Sequence, residues 1–123
     1  MPSEENRLRP AEYQPTIFLI RGAPGSGKSR LAWIVAPAAC YSADDYFEHL
    51  AVKNATTYEK VWSANKLEEA HDLCFDRAKG AMSARCSRIA IHNTFTTLKE
   101  LERYQDLART NGYVCNVIRM END

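Results

Sequence analysis

The sequence predicts an α/β fold in which a mostly parallel sheet lies between layers of helices. Three observations lead there. Short strand-like runs alternate with helix-like stretches in the order β-α-β-α-β-α-β. The first strand, Thr16-Ile17-Phe18-Leu19-Ile20, is apolar without alternation, as expected of a strand buried on both faces. A glycine-rich loop then separates that strand from a helix.

The 123 residues suffice for one compact domain, and the apolar share of 45% is enough for a core. Residues 1–15 are polar and contain proline, so they are expected to form a flexible N-terminal arm before a domain spanning 16–123. Tyr13 and Pro15 are the arm residues placed to touch that domain. A helix follows the glycine loop from Ser29 to Ala36 and stops near Pro37. Ala38–Ser42 is a weak second strand ending at Ala43-Asp44-Asp45. Residues 46–62 show no clear period, with Tyr46, Phe47, Tyr58 and Trp62 as anchors.

Ser63 can cap a long helix over 64–84. Its apolar stripe is Leu67, Ala70, His71, Cys74, Ala78, Ala81 and Met82. Arg88–Ile91 is a third strand and Thr97–Thr110 a further helix, closed by Asn111-Gly112 as a left-handed cap. Tyr113–Ile118 is the fourth strand.

Lys plus Arg and Asp plus Glu number 16 each, which argues against coating nucleic acid by bulk charge. The four cysteines form no C-x-x-C pair and suit reduced, buried thiols. No apolar run approaches the ~20 residues of a membrane span. The N-terminus carries three acidic residues and no apolar signal core, so a soluble cytoplasmic protein is expected.

The loop Gly22-Ala23-Pro24-Gly25-Ser26-Gly27-Lys28-Ser29 has the pattern G-x-x-x-x-G-K-S. Its glycines allow positive φ and close approach of the backbone to a ligand. Successive N–H groups and the following helix N-terminus then form an anion cradle. Lys28 is expected to reach the β- and γ-phosphates of a nucleoside triphosphate such as ATP. Ser29 is expected to ligate Mg²⁺, which favours oxygen ligands. Arg30 is left between solvent and phosphate.

In parallel α/β sheets, ligands sit beyond the carboxyl ends of the strands. Asp44 there can take a proton from an attacking hydroxyl, hold a metal-bound water, or simply cap a helix. Adjacent side chains diverge, so Asp44 and Asp45 are expected to have different roles. The third strand leads into His92-Asn93-Thr94 rather than into an acid. Asn93 can contact an acceptor hydroxyl or a metal-bound water, His92 can titrate near neutrality, and either can be a plain strand-end residue. His71, alone on an apolar stripe, is expected in the core, with a contact to the Asp44 region as the other option.

Together these residues resemble the polynucleotide-kinase-like branch of the P-loop kinases, which includes phage polynucleotide kinase and the zeta toxins. The matching pieces are RGAPGSGKS at 21–29, SADDYF at 42–47, EAH at 69–71, HNTFTTLKELERY at 92–104 and LARTNGYVCNVI at 107–118. The resemblance implies a three-layer P-loop fold and transfer of the ATP γ-phosphoryl to a hydroxyl, such as a nucleic-acid 5′ end. By resemblance Asp44 is the general base, and Lys28 and Ser29 are the phosphate and Mg²⁺ residues. Asn93 falls where the phage enzyme has an aspartate, and His92 replaces the acid of other relatives.

The chain departs from the family pattern at that strand-end acid. It also has no arginine near Phe47, and the resemblance implies a helical lid after the fourth strand where the given sequence stops at Glu121-Asn122-Asp123, so a domain truncated at its C-terminus, a naturally short relative and a subunit that borrows an arginine in trans all stay open. These departures keep two alternatives open: a catalytically weak nucleotide-binding module or inhibitor of a partner protein, and a plain NTPase.

Overall fold

The structure is a computed structural model that describes residues 14–121. Four strands form one sheet in the order β2-β3-β1-β4: β1 (Thr16–Arg21), β2 (Cys40–Tyr41), β3 (Arg88–Asn93) and β4 (Val114–Arg119). Every pairing is parallel, with Thr16 opposite Arg88 and Val114, and Cys40 opposite Ala90. The helices between them are α1 (Lys28–Val35), α2 (Asp44–Lys53), α3 (Tyr58–Val61), α4 (Leu67–Ser83) and α5 (Leu98–Thr110).

The unalternating strands are explained by burial on both sides. Ile17, Leu19, Ile89 and Ile91 face one core with Cys74, Ala78 and Met82 of α4 and Leu101, Tyr104 and Ala108 of α5. Ile20 and Ala90 face the opposite core with Ala32 of α1 and Ala36. The alternate residues of each strand thus enter different layers. Small residues on α4 let it lie close to the sheet. A third cluster, Ala43, Phe47 and Ala70, ties α2 to α4 beside the carboxyl ends of the strands.

Local signals set several boundaries. Ser63 Oγ accepts from Asn65 N–H at a 3₁₀ turn, Ala64–Lys66, that leads into α4. Thr97 Oγ1 accepts from Glu100 N–H at the start of α5, and Gly112 takes φ 73° just past its end. The expected second strand shrinks to two residues. The acidic pair, expected at a strand end, instead opens α2. The cause is a capping box: Ser42 Oγ accepts from Asp44 N–H at 2.9 Å, and Asp45 Oδ2 accepts from Ser42 N–H at 2.9 Å.

Of the expected arm, residues 1–13, Tyr13 included, lie outside the described residues. Pro15 does touch the domain, because its carbonyl accepts from Val114 N–H. All four cysteines are unpaired; Cys74 is buried and the others are half-buried. Among the described residues, no helix is long and apolar enough to cross a membrane.

Candidate phosphate-binding and acceptor site

The carboxyl ends of β1, β2 and β3 converge on one cavity of about 970 Å³. Pro24, Gly25, Lys28 and Ser29 form one wall, and Ser42, Asp44 and Glu48 form another. Tyr58, Leu67 and His71 line it as well, and Ala43, Asp45, His92, Asn93, Thr94, Thr96 and Glu100 complete the lining.

The glycine-rich loop leaves β1 at Arg21 and ends where α1 begins at Lys28. Gly27 stands before that helix with φ 89°, a conformation glycine adopts without strain. Gly22 is required for another reason. A Cβ there would lie 2.5 Å from Ser26 Oγ and 3.0 Å from Met120 Cβ. Met120 continues the β1–β4 pairing, its N–H donating to Arg21 O at 2.8 Å. The loop is therefore packed against the end of β4. Lys28 Nζ lies 3.5 Å from Ala23 O and lines the cavity, as does the exposed Ser29. Arg30 is exposed and is absent from the lining.

The acidic pair divides as its adjacency implied. Asp45 is committed to the capping box, and its Oδ2 also lies 3.7 Å from Arg77 Nη1. Asp44 is exposed and lines the cavity, and its Oδ1 accepts from the Tyr58 hydroxyl at 2.7 Å. The Tyr58 phenol is held well above its ordinary pKa by burial first and by Asp44 second, so it remains a donor. Burial also raises the Glu48 carboxyl, with the charges of Asp45 and Asp44 adding to the effect.

Asn93 is buried at 5% exposure, although it borders the cavity. Its Oδ1 accepts from Ala43 N–H at 2.9 Å, and its Nδ2 lies 3.9 Å from Cys74 Sγ. Both ends of the amide therefore meet protein groups. Extending the β2–β3 register by two residues puts Ala43 opposite Asn93. The side chain thus takes over the pairing where the backbone strands diverge, and it fixes the turn that carries Asp44.

His92 is half-buried, and its pKa is lowered chiefly by that burial, against the opposing charge of Asp45. His71 is half-buried and lines the cavity together with Asp44 rather than entering the core, the second of the two placements left open for it. Glu48 and Glu100 join the site with no sequence signal of their own, and Leu67 and Thr94 join it from a helix stripe and a strand end. Tyr58 was legible only as an aromatic anchor. The Ser42-x-x-Asp45 pattern could have signalled the helix that presents Asp44.

A Mg²⁺ site is implied by this loop type. Among the described residues, no group of three or more His, Cys, Asp or Glu side chains could hold a metal ion by itself. The donor at hand, the exposed Ser29 hydroxyl, fits a Mg²⁺ that would arrive with nucleotide phosphates and keep several waters.

The Arg21 guanidinium donates to Phe95 O at 2.9 Å, locking the base of the phosphate loop to the turn after β3. Phe95 is fully buried there with φ 51°, an uncommon conformation for a residue with a side chain.

Comparison with known proteins agrees with this architecture. A family model described as an AAA domain matches residues 17–123. Human NEDD4-binding protein 2 is 33% identical over 101 residues, which is 79% of this chain but 5% of that protein's length. A kinase-like protein of Chloroflexus aurantiacus superposes with a TM-score of 0.66 at 18% identity, over 88% of this chain and 60% of that one. The Pnkp1/Rnl/Hen1 complex gives a TM-score of 0.62 at 20% identity, over 90% of this chain and 37% of the other. APS kinase CysC of Mycobacterium tuberculosis gives 0.56 at 15% identity, over 87% and 76%. These structural likenesses carry the fold, and the family model carries the assignment. With its strand–glycine loop–helix unit intact, the chain is a P-loop domain that belongs to the AAA-domain family matched over residues 17–123.

Proposed function

We propose that the domain binds ATP and transfers its γ-phosphoryl group to a hydroxyl. The observation that carries this reading is the shared cavity: Asp44 lines the same space as Lys28 and Ser29. The loop N–H groups and the α1 N-terminus would hold the phosphates, with Lys28 neutralising charge on the β- and γ-phosphates. An acceptor hydroxyl in the cavity would give its proton to Asp44 as its oxygen bonds to the γ-phosphorus. The bond from that phosphorus to the bridging oxygen breaks, and ADP leaves with the electron pair. Mg²⁺, when bound, neutralises charge on the phosphate oxygens, and Ser29 is the residue that would hold it.

A nucleic-acid 5′-hydroxyl is one acceptor this reading accommodates. Incubation with γ-labelled ATP and a panel of oligonucleotides, nucleosides and small alcohols tests the proposal. Label should move to one class of acceptor, and Lys28→Ala should abolish the transfer. Absence of transfer to every acceptor, at a sensitivity that detects a slow kinase, rejects it.

A second reading, nucleotide binding without useful turnover, is favoured by one observation. Lys28 is the sole Lys or Arg among the described residues lining the cavity, whereas phosphoryl transfer is commonly assisted by an arginine worth about 10³–10⁵ in rate. It predicts ATP binding that Lys28→Ala removes, with no label transferred. A plain NTPase would release phosphate whether or not an acceptor is present.

A further inference from the structure

The Tyr58 hydroxyl makes the bond that an acceptor hydroxyl would need. It donates to Asp44 Oδ1 at 2.7 Å inside the cavity. The neighbouring carboxylate offers no substitute, since Asp45 is held by Ser42 N–H and lies beside Arg77. Tyr58 comes from α3, a four-residue helix with no buried residue, which rests on α2 through aromatic contacts. The Tyr58 and Phe47 rings meet edge to face with centroids 5.9 Å apart, and the Trp62 ring centroid lies 6.2 Å from that of Phe47. The hydroxyl is thus carried by a short element outside the sheet, packed on the cluster of Ala43, Phe47 and Ala70.

We propose that Tyr58 determines specificity between acceptor and water: its hydroxyl, bonded to Asp44 Oδ1, weakens that carboxylate as a base until a bound acceptor hydroxyl displaces it. This rests on the phosphotransferase reading above. Water is the abundant competitor for the γ-phosphoryl group, and a bare carboxylate in an open cavity would activate it. An acceptor held by the cavity walls presents its hydroxyl at high effective concentration and can displace the phenol. A solitary water has no such advantage. Without the phenol, a water gives its proton to Asp44 and its oxygen bonds to the γ-phosphorus. The bond to the bridging oxygen breaks, and ADP and phosphate are released.

The test uses the full chain with ATP and water alone, measuring phosphate release. Tyr58→Phe keeps the ring on Phe47 and removes only the hydroxyl. It should hydrolyse ATP about tenfold faster than the wild type, the scale expected when one hydrogen bond to a charged group is removed. ATP affinity should be unchanged, and adding Asp44→Asn should return hydrolysis to background. Tyr58→Met, which fills similar space without ring or hydroxyl, should show the same rise and covers the case in which Y58F folds poorly. Hydrolysis at or below the wild-type rate in variants that still bind ATP overturns the proposal. If the wild type labels an acceptor and these variants show no rise, this inference alone fails. If the wild type neither labels an acceptor nor hydrolyses ATP, the phosphotransferase reading fails, and this inference with it.

Discussion

Replacing Asn93 with alanine separates a structural role from a chemical one. Its Oδ1 is the partner of Ala43 N–H at 2.9 Å, and both residues are 5% exposed. Truncation leaves that N–H buried without an acceptor, at a cost of about 1–3 kcal/mol. The vacated volume beside Cys74 adds a smaller cavity penalty. A loss of about 2–3 kcal/mol follows, and at ~4 °C per kcal/mol for a domain of this size the melting temperature falls by ~8–12 °C. Circular dichroism melts and urea titrations measure it, with the urea slope expected to stay constant. Because the same bond holds the turn before Asp44, phosphoryl transfer should fall as well, while the Lys28 side of the site keeps its ATP. A melting temperature within 2 °C of wild type would refute this assignment.

Two further substitutions probe the loop and the strand end. Gly22→Ala places a Cβ 2.5 Å from Ser26 Oγ, which can turn away, but also 3.0 Å from Met120 Cβ and 3.3 Å from Ser26 Cβ, so the loop must give by a few tenths of an ångström. Overpacking should cost about 1–3 kcal/mol of stability, and calorimetry should show ATP affinity reduced about tenfold or more, the equivalent of ~1.4 kcal/mol; unaltered affinity would contradict the packing argument. His92 has a folded pKa lowered by burial, so between that value and the unfolded ~6.5 the unfolded chain binds more protons. Its contribution to stability is therefore complete above about pH 6.5 and is lost as pH falls. His92→Gln should flatten the fall in melting temperature between pH 7 and 5 relative to wild type; parallel curves would show that His92 is not protected from protonation.

The sheet and the loop were legible because their signals are local. The run Thr16–Ile20 has no alternation, and it pairs on both edges with both faces covered. The long helix was found from its stripe, and Ser63 and Thr97 act at helix starts as their residue types suggest. The stretch from Asp44 to Trp62 was not legible, because two short helices there pack through a few aromatic contacts rather than along a periodic face. The site shows the same division. Phosphate-loop residues are contiguous and could be named from their spacing. Tyr58 and Asp44 are 14 positions apart and meet only through the fold. His71 was expected in the core because an i, i+4 stripe fixes a helix face but not where along it the sheet ends. For Asn93 the sequence leaves open an acceptor or metal-water contact and a plain strand-end role; it borders the cavity, and its amide is engaged by the backbone of the next turn and lies beside a buried thiol.

The central claim is that the phosphate loop binds ATP while Asp44, across the same cavity, serves the acceptor. The measurement that tests it most directly compares wild type with Asp44→Asn for ATP affinity by calorimetry and for label transfer in a single turnover, using the acceptor the panel identifies. Affinity should stay within about twofold and transfer should fall by about 10²–10⁴, the range associated with a positioned general base. Undiminished transfer by Asp44→Asn would contradict it.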